Sequence, residues 1–265
     1  MRTRELHAWT CALLSGALTI CLVAPTAHAE PATVPVIEPV VLAVIPHDTS
    51  AYTEGLELDG TTLYEGTGLA GESQLRELDP ATGAVRRAVP IPQRYFGEGI
   101  TVVGDRIWEL TYRDGVAVEW DKATLTPVRE VPLAPEGWGL CRDGDRLISS
   151  NGTDQLLFHN IDDMTQTGAV SVTRDGQPLR GLNELECVDG QVWANAWPTD
   201  NIVRIDPSTG HVTAVVDGSK LWSRENRTGA QVVQGIAHIS GSEFFLTGKY
   251  WPSMFRVRLD VPPSG

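Results

Sequence analysis

Five short phrases place a carboxylate, an amide or an indole at one point of a recurring pattern. They are Glu54 before Gly55-Leu56, Glu98 before Gly99-Ile100, Trp138 before Gly139-Leu140, Glu184 before Leu185-Glu186 and Gln234 before Gly235-Ile236. Carboxyl groups gathered in this way can move protons, provided that burial or a like-charged neighbour lifts the pKa of at least one of them. Three carboxylates near one axis could equally hold a cation such as calcium, which takes several oxygen ligands. They could also fill and hydrate a channel mouth, because repeats replicate packing as readily as chemistry. Asn183 directly precedes Glu184, and Lys249 lies in Thr247-Gly248-Lys249-Tyr250-Trp251-Pro252. Tyr52, Phe96, Tyr112, Trp197 and Trp251 sit in loop-like contexts that suit a pocket wall or a core equally. The chain has no Gly-x-Ser-x-Gly, His-Glu-x-x-His, glycine-rich phosphate loop or Cys-x-x-Cys. Of its six His only His238 falls inside a repeat phrase, so a zinc triad has no support.

Those residues need a scaffold that repeats with them. The first positions of the phrases are 44, 40, 46 and 50 residues apart, which matches a four-stranded propeller blade of roughly 40–50 residues. Each phrase runs into a turn and then an apolar or aromatic pair, such as Leu63-Tyr64, Ile107-Trp108 and Val192-Trp193. A second hairpin follows at Asp79-Pro80-Ala81-Thr82-Gly83, Asp121-Lys122-Ala123-Thr124 and Asp206-Pro207-Ser208-Thr209-Gly210, where Pro presets φ, Asp caps the turn and Gly accepts positive φ. The expected fold is therefore all-β: one five-bladed β-propeller of four-stranded blades spanning residues 30–265. Its last blade lacks a fourth strand, and Val36–Val44 is expected to supply it, closing the ring and covering open edges. Cys141 and Cys187 hold equivalent places in consecutive units, which favours a disulfide over two buried thiols. The long connection from Asp217 to Val233 has the length of a binding loop or lid.

The first 29 residues read as a secretory signal peptide: Arg2 and Arg4, an apolar run from Ala8 to Val23, then Ala27-His28-Ala29 before Glu30. A secreted or periplasmic location is expected. Removing this segment takes away Arg2, Arg4 and Glu5 and moves the formal net charge from −13 to −14. Such a surface repels phosphate backbones and anionic lipid, so neither nucleic acid nor a membrane is an expected partner. Closed sheet edges favour a monomer.

The phrases in their order resemble the plant and bacterial type of glutaminyl cyclase, a five-bladed propeller family. The likeness runs through Tyr52-Thr53-Glu54-Gly55-Leu56, Phe96-Gly97-Glu98-Gly99-Ile100, Leu110-Thr111-Tyr112, Gly137-Trp138-Gly139-Leu140, Leu182-Asn183-Glu184-Leu185-Glu186, Trp193-Ala194-Asn195-Ala196-Trp197 and Thr247-Gly248-Lys249-Tyr250-Trp251. It implies conversion of N-terminal glutaminyl residues of peptides and proteins to pyroglutamyl with release of ammonia, with no cofactor required and a structural channel cation left open. By residue matching it implies Glu98 as proton shuttle and Lys249 as positive charge beside the developing oxyanion. The substrate-binding set would be Tyr52, Glu54, Phe96, Tyr112, Trp138, Asn183, Glu184 and Trp197. Two positions depart from the family's usual pattern: Glu54 stands in place of Gln, and Tyr112 in place of Trp. A propeller hydrolase or lactonase with a channel calcium, or a non-catalytic binding scaffold, would be the competing readings.

Overall fold

Short runs of β-branched and aromatic residues separated by Asp-Gly and Asp-Pro turns become strands and hairpins almost throughout the computed structural model, which describes residues 33–133, 136–228 and 231–261. The expected signal peptide lies outside the described residues. Two strands come first, β1 (Val36–Ile37) and β2 (Val40–Pro46). The first blade is β3 (Thr53–Asp59), β4 (Thr62–Thr67), β5 (Gln74–Leu78) and β6 (Val85–Pro90), hydrogen-bonded in that order from the channel outward. The second repeats this with β7 (Gly97–Val103), β8 (Arg106–Thr111), β9 (Val116–Asp121) and β10 (Thr126–Pro132). The third is β11 (Leu140–Asp143), β12 (Arg146–Ser149), β13 (Gln155–Asn160) and β14 (Gln166–Ser171), followed by a small hairpin of β15 (Thr173–Arg174) and β16 (Gln177–Pro178). The fourth contains β17 (Leu182–Val188), β18 (Gln191–Ala196), β19 (Asn201–Ile205) and β20 (Val212–Asp217). The fifth has β21 (Val233–Ser240), β22 (Glu243–Gly248) and β23 (Ser253–Arg258).

The ring closes as expected, with one difference. β2 pairs antiparallel with β23 and completes the fifth blade. The segment is not one strand, however: β1 pairs parallel with β20 and adds a fifth strand to the fourth blade. The break falls at Glu38-Pro39, where Pro39 has no N–H to give a ladder and Glu38 turns outward to an ion pair with Lys220.

Among the described residues five apolar clusters form the core, one at each junction between neighbouring blades. Tyr64, Leu75, Ile100 and Trp120 join the first blade to the second, and Leu110, Ala117, Leu140 and Leu147 the second to the third. Ile148, Leu156, Leu185 and Val192 join the third to the fourth, Trp193, Ile202, Ile236 and Phe244 the fourth to the fifth, and Leu56, Leu63, Phe245 and Met254 the fifth to the first. Full burial of each such side chain contributes about 1.5–3 kcal/mol. Trp251 belongs to this packing; it is fully buried in the cluster between the fourth and fifth blades.

Two sets of glycines explain the repeat phrase. The glycine that ends each copy, Gly60, Gly104, Gly144, Gly190 and Gly241, has φ between +54° and +73°, in open surroundings, so conformation and not space selects it. The glycine after the site position is chosen by space. A Cβ on Gly55 would lie 2.7 Å from Ile100 N, one on Gly99 2.6 Å from Trp138 O, and one on Gly139 2.1 Å from Asn183 O. Inner strands can therefore crowd the axis, bringing the side chains just before these glycines together. Cys141 on β11 and Cys187 on β17 bridge neighbouring inner strands as a disulfide, with Cα atoms 5.4 Å apart.

Candidate functional site

Glu54, Glu98 and Gln234 each occupy the second residue of an inner strand, Glu184 the third, and Trp138 lies two residues before β11. These five positions form a ring at one end of the channel. A second ring of equivalent positions lies immediately outside it, six residues after the start of each second strand: Gly68, Tyr112, Gly152, Trp197 and Lys249. The two glycines make room for aromatic neighbours, since a Cβ on Gly68 would lie 2.4 Å from the Phe96 ring and one on Gly152 2.6 Å from the Trp138 ring. The other three members project functional side chains into the same space.

Together the rings enclose a cavity of about 400 Å3 lined by Tyr52, Glu54, Phe96, Glu98, Tyr112, Arg113, Trp138, Asn183, Trp197 and Lys249. Nine of these ten were singled out from the sequence. Its rim is a chain of ring contacts: Tyr52 to Phe96 at 6.0 Å between centroids, Phe96 to Tyr112 at 5.5 Å, Tyr112 to Trp138 at 6.4 Å and Trp138 to Trp197 at 5.9 Å. Trp197, 44% exposed, forms the outer lip.

The floor is ionic and almost fully buried. Lys249 Nζ donates to Glu54 Oε1 at 2.7 Å and lies 4.4 Å from the centroid of the Tyr52 ring. Gln234 Nε2 donates to Glu54 Oε2 at 3.2 Å and to Asn183 Oδ1 at 3.1 Å, tying the two together. Its role is to orient them. That bond turns the amide of Asn183 so that its Nδ2 has no partner among the described residues. The Glu98 carboxyl shares a hydrogen bond with Glu54. Burial pushes Glu98 well above the usual carboxylate range and the Glu54 charge pushes it further, while Lys249 opposes. Burial also raises Glu54, and the Lys249 ammonium offsets part of that rise, leaving Glu54 above its ordinary value. The proton of the pair therefore resides on Glu98 and the charge on Glu54, which resolves what a second acid does beside Glu98: Lys249 neutralises it. Lys249 itself is lowered by burial but raised overall by Glu54, Glu98 and Tyr52, and stays charged.

Glu184 lies deeper than the cavity wall. Its Oε1 accepts from Leu56 N at 3.4 Å, Oε2 has no partner, and burial raises its pKa well above normal. The elevated carboxyls anticipated from the repeat are present, with burial ahead of mutual repulsion as the cause. Arg113 is the lining residue that the sequence did not suggest. It stacks on Tyr112 at 4.5 Å and donates to Glu136 Oε1 at 3.3 Å; the same oxygen accepts from Trp138 Nε1 at 3.1 Å. Nothing in the repeat marks it, because it follows the second ring by one residue; only its adjacency to Tyr112 points to it. The long connection contributes no described residue to the cavity. Its Arg227 is held by Asp200 at 2.7 Å and lies 4.9 Å from the Trp251 ring centroid, so it serves packing. Among the described residues no group of three or more His, Cys, Asp or Glu is arranged to hold a metal ion.

A testable consequence concerns the Glu54 position. Glu54→Gln removes a charge that raises Glu98 and leaves Lys249 to lower it. Because Glu98 starts protonated it sets the alkaline limb of the kcat/KM profile, and that limb is expected to move to lower pH. An unmoved limb would show that the Glu54 charge does not act on Glu98.

Comparison with known proteins agrees with this architecture. The family described as glutamine cyclotransferase matches residues 12–259. A glutaminyl-peptide cyclotransferase from Arabidopsis thaliana is 36% identical over 225 residues, covering 83% of this chain and 70% of its own length. The crystal structure of Myxococcus xanthus glutaminyl cyclase superimposes with a TM-score of 0.80 at 35% identity, covering 87% of this chain and all of that one. With a family match over nearly the whole chain and a shared five-bladed frame, the chain belongs to the glutamine cyclotransferase family.

Proposed function

We propose that this enzyme, a glutaminyl-peptide cyclotransferase, performs its ring closure at the aromatic cavity, with Glu98 as the group that moves the proton. The N-terminal glutamine folds back so that its α-amine faces its own γ-carboxamide. The aromatic rim holds the aliphatic part, excludes water and favours the folded conformer, so that entropy is lost at binding and not at the barrier. The amine nitrogen attacks the γ-carbon, forming a C–N bond and a tetrahedral oxyanion. Asn183 Nδ2, with the Lys249 charge nearby, stabilises that oxygen. Glu98, which starts protonated, gives its proton to the departing amide nitrogen and as carboxylate takes one from the attacking nitrogen; the C–N bond breaks, ammonia leaves and Glu98 is protonated again. A peptide α-amine titrates near 7.7–8.0, and a carboxyl lifted well above its usual range exchanges a proton with it at little cost. Glu54, Gln234 and Glu184 position these groups.

The observation that carries this reading is the buried Glu98–Glu54–Lys249 arrangement at the cavity floor. Its test is incubation with a glutamine-initiated peptide, with and without chelator. The expected result is ammonia release and a loss of about 17 mass units, unaffected by chelation, since proton transfer alone carries the step. No turnover of any such peptide would overturn the reading, and turnover lost with chelator would favour a metal-dependent one.

Export is proposed on the pattern of residues 1–29, and a monomeric state on the covered sheet edges. N-terminal sequencing of the exported protein should begin at Glu30.

A further inference from the structure

Beside the catalytic cavity, with the Tyr52 ring as shared wall, lies a second cavity of about 270 Å3. It opens in the first blade, where Ser50, Thr67, Gly68 and Gln74 line it together with two charged residues, Arg76 and Glu72. Their electrostatic states differ. Arg76 is buried and its NH1 lies 3.1 Å from Asp48 Oδ2 and 3.5 Å from Glu65 Oε2, so its charge is already matched. Glu72 is exposed, and its carboxylate has no hydrogen bond or ion pair among the described residues. Around the two cavities, Glu54 is matched by Lys249 and Arg113 by Glu136. Glu72 is thus the wall charge left uncompensated.

The loop that carries Glu72 is fixed to the catalytic strand. Glu72 N donates to Leu69 O at 2.9 Å, and Ser73 Oγ donates to the same carbonyl at 2.8 Å. Ser73 Oγ in turn accepts from Gly97 N at 3.0 Å, and Gly97 immediately precedes Glu98. Ile91 N donates to Ser73 O at 3.1 Å. The Glu72 backbone is therefore tied to the strand that carries the proton shuttle.

A glutamine held in the catalytic cavity would lie beside Tyr52, which lines it. One further residue of extended chain advances at most about 3.3–3.6 Å, so the next side chain stays within reach of the second cavity that Tyr52 also lines. We propose that the second cavity receives the side chain of the substrate's second residue, and that Glu72 selects Lys or Arg there. This rests on the cyclase reading above. The acidic net charge of the chain, −13, would steer the same peptides toward it without discriminating position.

The test compares kcat/KM for glutaminyl peptides with Lys, Ala or Glu in second place, and for glutamine amide, which has no second residue. Wild type is expected to prefer Lys over Glu by about two- to fivefold at low salt, the range of an exposed ion pair, with the ratio shrinking as salt rises. Glu72→Ala should remove the local preference and Glu72→Lys should invert it, both leaving glutamine amide turnover unchanged. A Lys-to-Glu ratio equal in wild type and Glu72→Ala overturns the subsite, because the general field of the protein would then account for it. Failure of wild type to turn over glutamine amide and all three peptides overturns the cyclase reading itself and the subsite with it.

Discussion

Replacing Glu98 by Gln is expected to lower kcat/KM for a glutaminyl peptide by a factor of about 100 to 10,000, the usual contribution of a positioned general acid–base group. The fold and peptide affinity at neutral pH should survive. The folded protein holds Glu98 protonated, so a neutral amide of the same shape replaces it without stranding a charge. The hydrogen bond to Glu54 is retained because an amide N–H can donate where the carboxyl O–H did. Stability supplies a second signature. A carboxyl whose folded pKa is raised contributes stability that is present at low pH and lost as pH rises through the folded value. Wild type should therefore lose stability toward alkaline pH in a way that Glu98→Gln does not. Thermal melts across pH and steady-state kinetics read the two effects separately. Turnover by Glu98→Gln within about tenfold of wild type would remove Glu98 from the chemistry.

Deletion of residues 34–45 is expected to abolish cooperative folding of the whole protein, not merely to fray its beginning. β2 exchanges ladder hydrogen bonds with β23 from Val40 to Pro46, and Ile45 joins the cluster that packs the fifth blade on the first. Without it, β23 becomes an uncovered edge, and Met254 and Phe255, both buried, lose cover. The junction that closes the ring is then incomplete. A domain of this kind has about 5–15 kcal/mol in total, and loss of a strand with its share of an inter-blade core is of that order. Circular dichroism melts and limited proteolysis would show a broad, early transition and general cleavage. A sharp melt within a few degrees of the full-length protein would mean that the blades stand without closure.

Much of this was legible because a repeat converts sequence spacing into spatial equivalence. Glu98 and Trp138 could be placed in one ring before any coordinates, and Cys141 and Cys187 on neighbouring strands, because each holds the same register in its unit. The second ring escaped notice as a ring. Tyr112, Trp197 and Lys249 differ so much in type, and alternate with glycines that only make space, that nothing in their chemistry advertises a shared position. The state of Glu54 was not legible either: a carboxylate beside another carboxylate reads as repulsion until Lys249, 195 residues away, is seen to neutralise it. The departure of β1 from β2 depended on one proline, whose effect on local pairing is clear but whose choice of the fourth blade is a property of the closed ring. Arg113 and Glu72 have no repeat signature, as expected of residues at a rim where copies diverge.

The pairing of β2 with β23 also sets a schedule. The ladder joins Val40 to Arg258, so a strand made early waits for one made far later in the sequence. Until residue 258 is available, the backbone of a run of Val, Val, Leu, Ala and Val has no ladder partner, and the incomplete chain carries an unpaired, apolar extended segment. The arrival of β23, rather than local strand formation, is then the event that commits the protein to its native state, and a contact of such long sequence separation makes that step slow.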